Sequence, residues 1–204
     1  MRAWSVVLAV CVCSACELAF GIDAAPPWRG DPGSSLQEWI FITGGGGGAG
    51  VYFEPDGAWA NTYGAPMAVF AAGAWIDGGG LSADGAWSGS FSQYWIPNDP
   101  FTPAQGKQMR IQMVWKDVAP AASVQDVAGS PWACDSFFDI FLLDGWVLSV
   151  QDWSAPSHGE AEMVQITAGG LLDGVTIDTL IVPEPASLSA LVLGALALLR
   201  RRGR

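Results

Sequence analysis

Histidine is nearly missing from this sequence: His158 is the only one in 204 residues. A zinc site draws several His or Cys ligands at set spacing, and one imidazole with one central cysteine does not supply them. A serine hydrolase needs a base beside its nucleophile, and no Gly-x-Ser-x-Gly elbow is present. His158, in the run Pro156-Ser157-His158-Gly159, reads as a loop residue. Cysteine is just as thin. Cys11, Cys13 and Cys16 crowd the start of the chain, which leaves Cys134 alone in the rest and excludes an intramolecular disulfide there. The expected state of Cys134 is a buried, inert thiol beside Trp132 and Phe137.

Cations are scarce too. Between residues 22 and 182 only Arg29, Lys107, Arg110 and Lys116 stand against eighteen carboxylates, a net charge near −14. Nucleic-acid binding needs cationic neutralisation of phosphates, and anionic lipid surfaces attract basic segments, so neither partner fits. Glu160 and Glu162 lie two apart and would share one face of a strand. Glycosidase carboxylates flank the scissile bond from facing elements, so this pair is expected to be exposed and inert. No catalytic, cofactor-binding or metal-binding residue is assigned, and the chain does not read as an enzyme. The glycine run Gly44 to Gly48 lacks the Lys-Ser/Thr of a phosphate-binding loop and reads as a plain loop.

Amphipathic helices are absent between the two ends; short strands fill the space instead. Leu36–Thr43, Val51–Glu54, Met67–Ile76, Gly85–Ile96, Lys107–Lys116, Phe137–Leu143, Trp146–Trp153, Glu160–Ala168 and Val175–Val182 carry the β-branched and aromatic content of strands. In Lys107–Lys116, Met109, Ile111, Met113 and Trp115 alternate with Gln108, Arg110 and Gln112, so one side should be core and the other wet. In Gly85–Ile96 the bulky set Trp87, Phe91 and Trp95 is expected to face the core and Ser88, Ser90, Ser92 and Tyr94 to face out. Phe137–Leu143, apolar apart from Asp139, reads as a strand covered on both faces. Asp144-Gly145 is a hairpin turn signal. Residues 25–35 are an ordered lead-in, and Pro120–Trp132 is loop-rich. Strands separated by Gly, Asp, Pro and Ser turns predict an all-β fold, a β-sandwich of jelly-roll-like topology, over residues 22–182.

Tryptophan is abundant, with ten of eleven inside that region. Trp87, Trp95, Trp115 and Trp146 lie on alternating strands and are expected in the core. Trp28, Trp59 and Trp132 lie in loops, where an exposed ring could stack on the C–H face of a sugar or seal the end of the core.

The two ends are of another kind. Residues 1–21 have Arg2, an apolar stretch from Trp4 to Ala15, and small residues before Gly21, the pattern of a secretory signal peptide. Cleavage after Gly21 is the preferred site, with Ala24 or Ala25 as alternatives; a lipoprotein-type signal at Cys16 is a further option. Residues 183–204 begin with Pro183-Glu184-Pro185, continue through an apolar run from Ala186 to Leu199, and end on Arg200, Arg201, Arg202 and Arg204. A helix over that run would be roughly 21 Å long against about 30 Å of hydrocarbon, better suited to a temporary membrane stop than to a permanent anchor. The prolines keep the segment before it extended, and the arginines hold their end in the cytoplasm. In order, spacing and position this segment resembles the PEP-CTERM sorting signal, which exosortases process. The resemblance covers about a tenth of the chain. It implies signal peptidase and an exosortase-like membrane enzyme as partners, membrane contact through the C-terminal helix before processing, and a final place in the cell envelope or extracellular matrix with exopolysaccharide nearby.

Overall fold

The computed structural model describes residues 23–41, 52–81, 85–98 and 105–182. The expected signal peptide, the glycine run and the sorting signal, with Pro183, Glu184, Pro185, Arg200, Arg201 and Arg202, lie outside these residues. The described residues form eleven strands: β1 (Ser34–Trp39), β2 (Tyr52–Phe53), β3 (Trp59–Ala60), β4 (Met67–Asp77), β5 (Gly85–Pro97), β6 (Gly106–Lys116), β7 (Ala121–Asp126), β8 (Ala133–Phe141), β9 (Trp146–Ala155), β10 (Ala161–Thr167) and β11 (Leu171–Val182). The only helical piece among the described residues is a 3-10 turn at Leu143–Gly145. The fold is all-β, a single antiparallel sheet curled so that its two wings face one another.

One wing runs β3-β1-β11-β6-β9-β8 and the other β2-β4-β5-β10-β7. They join where Leu171 and Leu172 at the start of β11 pair with Ser88 and Trp87 of β5. A bulge at Asp173 then moves β11 away from β5 to lie between β1 and β6. The strands form where period-two alternation met β-branched or aromatic residues, and the expected positions of β4, β6, β9 and β10 hold to within about two residues. Pro120–Trp132 contains a regular strand, β7, which the loop-rich reading missed.

Met109, Ile111 and Met113 of β6 point between the wings, together with Val175 and Ile177 of β11, against Phe70 of β4 and Val164 and Ile166 of β10. Aromatic contacts bind this core. Phe70 stacks on Trp87 at 4.3 Å between centroids, and Trp39 meets Tyr94 edge to face at 4.8 Å.

The face expected of β5 is reversed along most of its length. Gly89 takes φ +59, a left-handed conformation that resets the alternation. Trp87 is buried as expected, but beyond Gly89 the even positions Ser90, Ser92, Tyr94 and Ile96 turn inward, and Trp95 is 39% exposed. Across from it β4 is irregular at Phe70–Ala74. There Gly73 has φ +118, and a Cβ on it would sit 2.9 Å from Ser90 Cα. Gly73→Ala is therefore expected to destabilise the fold by about 1–3 kcal/mol from backbone strain, with steric crowding added; a shift of the urea midpoint below 0.5 kcal/mol equivalent would mean that β4 relaxes freely.

Two further expectations fail. The β8 strand is not covered on both faces: among the described residues it pairs only with β9 and forms an edge, with Phe137 71% and Phe141 83% exposed. The outward side of β6 is wet only in part: Gln108 is exposed as expected, but residues 23–30 lie across the rest and Gln112 is buried. The β8–β9 hairpin closes as expected at Asp144-Gly145, both with positive φ, as a type I′ turn requires.

Candidate functional site

Alternation along β6 puts Lys107 in phase with Met109, Ile111 and Met113, and alternation along β10 puts Glu162 in phase with Val164 and Ile166. Both charged side chains consequently enter the space between the wings, where they meet at one end of the core. Lys107 Nζ lies 2.9 Å from Glu162 Oε2, and both side chains are fully enclosed. Asn98, immediately after β5, completes the group. Its Nδ2 donates to Glu162 Oε1 and, at 3.0 Å, to the Gly159 carbonyl, while its Oδ1 accepts from Lys107 Nζ. The three side chains form a closed ring of hydrogen bonds. Asn98 is fixed further by its backbone N–H to the Glu160 carbonyl at 2.9 Å.

Burial acts on both ionisable members in the direction that removes charge. It lowers the Lys107 ammonium from its usual range, with the nearby Glu162 carboxylate working against it, and it raises the Glu162 carboxyl, with Lys107 and Asn98 working against it. His158 is also buried here. Its Nδ1 lies 2.9 Å from the Gly159 carbonyl and its Nε2 has no hydrogen-bond partner among the described residues. The expectation of two exposed, inert glutamates is thus corrected: Glu160 is exposed, but Glu162 is enclosed and ion-paired. His158 is a loop residue, as expected, but a buried one.

A second polar network covers the outward side of the β11-β6-β9 wing. Arg29 forks onto Asp178 of β11, with Nε to Oδ1 at 2.5 Å and Nη2 to Oδ2 at 2.6 Å, and also bonds Asp23. Arg110 forks onto Asp152 at 2.7 and 2.9 Å and donates to the Ala24 carbonyl at 3.0 Å. Gln112 exchanges bonds with Asp23 and with the Ala24 N–H. The network ties the lead-in to the sheet.

The three loop tryptophans separate. Trp132 is 7% exposed and packs in the core, because its neighbour Pro131 bridges to Gln125 and its own N–H bonds the Val124 carbonyl; a sugar-stacking role is withdrawn for it. Trp59 is 48% exposed on β3 and Trp28 is half-buried in the lead-in. Trp132, being buried, is not part of an exposed platform with them. Cys134 is exposed on β8 rather than buried, a consequence of the edge position of that strand.

Among the described residues no group of three or more His, Cys, Asp or Glu is placed to hold a metal ion, and no helix is long and apolar enough to cross a membrane. No known protein family, curated protein or solved structure matches the chain.

Proposed function

We propose that this is an exported protein of the cell envelope or extracellular matrix, processed by signal peptidase and an exosortase-like enzyme, with a structural or adhesive role alongside exopolysaccharide and no catalysis on other molecules. The observation that carries the reading is the tripartite tail of residues 183–204, which follows without a spacer on Val182, the last residue of β11. An all-β fold is the coarse frame; within it we read a sandwich of jelly-roll type. Cleavage after Gly21 agrees with the lead-in, since Asp23 and the Ala24 N–H are both bonded to the sheet. Cutting after Ala24 or Ala25 would remove Asp23 from that network.

Mass spectrometry of both termini, with fractionation between cytosol, membrane, envelope and medium, tests the proposal. The expected chain starts at Ile22, lacks the arginine cluster and is found outside the inner membrane. Recovery from the cytosol with Met1 and Arg204 intact would sink it.

A carbohydrate-binding module is the alternative, and the exposure of Trp59 is what favours it. A flat tryptophan emission across a broad polysaccharide panel would retire that alternative and leave the envelope reading in place.

A further inference from the structure

We propose that Lys107 and Asn98 become joined by an intramolecular isopeptide bond, formed by the chain itself with Glu162 as proton carrier. The inference goes beyond the export reading and rests on the ring of contacts alone. An ordinary buried ion pair would need only Lys107 and Glu162. Here a carboxamide is inserted into the pair, with Lys107 Nζ against Asn98 Oδ1, one bond from the electrophilic Cγ. The two oxygens of Glu162 hold the attacking nitrogen and the departing one separately: Oε2 takes Nζ at 2.9 Å and Oε1 takes Nδ2. The Gly159 carbonyl holds Nδ2 from another side, which fixes the plane of the amide.

The step balances without any co-reactant. A proton passes from the Lys107 ammonium to the Glu162 carboxylate, leaving a neutral amine; burial of both groups favours this exchange. Nζ then adds to Asn98 Cγ. Glu162 relays a proton from Nζ to Nδ2, the Cγ–Nδ2 bond breaks, and ammonia departs with the proton first taken from Lys107, as ammonium, which returns Glu162 to the carboxylate. An amine does not exchange with an amide in water at a useful rate. Fixed contact, which is worth a high effective concentration, and the exclusion of water from the site supply what solution chemistry lacks. Asn98 follows a strand of one wing and Lys107 begins a strand of the other, so the product is a covalent tie between the two faces of the core.

Intact mass of the purified full chain, followed by proteolytic mapping, tests the proposal. The cross-linked chain is about 17 Da lighter than its sequence between the same termini, the loss of one ammonia. Trypsin fails to cut after Lys107, and chymotryptic cleavage after Phe101 leaves a branched peptide carrying both residues. Glu162→Gln is expected to restore full mass and cleavage at Lys107. A wild-type chain of full mass overturns the proposal, and so does one that has lost ammonia while Lys107 is still cut by trypsin, because the loss then lies elsewhere. Cross-linking that persists in Glu162→Gln overturns the role of Glu162. The wild-type measurement decides the bond itself whether or not the variant folds, and it is independent of where the protein resides.

Discussion

The Arg29→Ala protein is expected to unfold about 3–5 kcal/mol more easily than the parent, the cost of leaving one member of a buried ion pair without its partner. The Asp178 side chain is fully buried, and the Arg29 fork is its charged partner. Burial raises the Asp178 carboxyl above its ordinary value and the bonds from Arg29 hold it down. Burial likewise works against the Arg29 cation, and the bonds to Asp178 and Asp23 more than offset it. Without Arg29, the main restraint on Asp178 is gone and only the weaker attraction of Arg110 is left.

The deficit should therefore depend on pH with a definite sign. A carboxyl raised in the folded state costs stability only while ionised, so the penalty is full above the raised value and fades as pH falls through it. Asp152 behaves oppositely. The Arg110 bond holds its carboxyl below the ordinary range, so its contribution is full above that range and is lost as pH falls through the lowered value. Denaturant titrations of Arg29→Ala and the parent across the acid range should converge, and Asp178→Asn in the variant background should recover stability. A deficit under about 1 kcal/mol at neutral pH would put the pair among ordinary surface bridges and remove the lead-in from any role in holding the sheet.

Which parts of this structure could be read from the chain follows from the range of the forces that made them. Alternation is local, so β4, β6 and β9 were legible, and the inward phase of Met109, Ile111 and Met113 with them. The same phase contained a signal that was passed over: Lys107 and Glu162 share the parity of the core residues on their strands, and a charge in phase with a core stripe must be paired when it is buried. Reading every polar residue as outward hid the pair. Asn98 could not have been added from spacing, because its place beside them depends on how the two wings close.

The misreadings at β8 and at the outer face of β6 are non-local in the same sense. An apolar run of strand length fits a central strand or an uncovered edge equally well, and only the pairing order decides; Phe137 and Phe141 lie on the edge. The polar set Arg110 and Gln112 would be wet if nothing lay above it, yet residues 23–30 reach across from far away in sequence to cover it. Neither outcome is encoded in the segment that displays it.

Trp87 and Trp95 put the misreading of β5 to a direct test. By alternation they share a face, which predicts similar losses on truncation. The left-handed turn of the backbone at Gly89 separates them. Trp87 is enclosed, stacked on Phe70 at 4.3 Å and edge-on to Trp75 at 6.1 Å, so Trp87→Ala leaves a cavity bordered by aromatic rings and is expected to cost about 3–5 kcal/mol. Trp95 is 39% exposed, and Trp95→Ala is expected to cost about 1 kcal/mol or less. Denaturant unfolding of the two variants, with unchanged m-values to show a common unfolded state, reads the difference directly. Equal losses would mean that β5 keeps one phase along its whole length; the core would then be built from Phe91 and Trp95, with Tyr94 and Ile96 outside it, and the inward face that β5 and β10 share beside Glu162 would be lost with it.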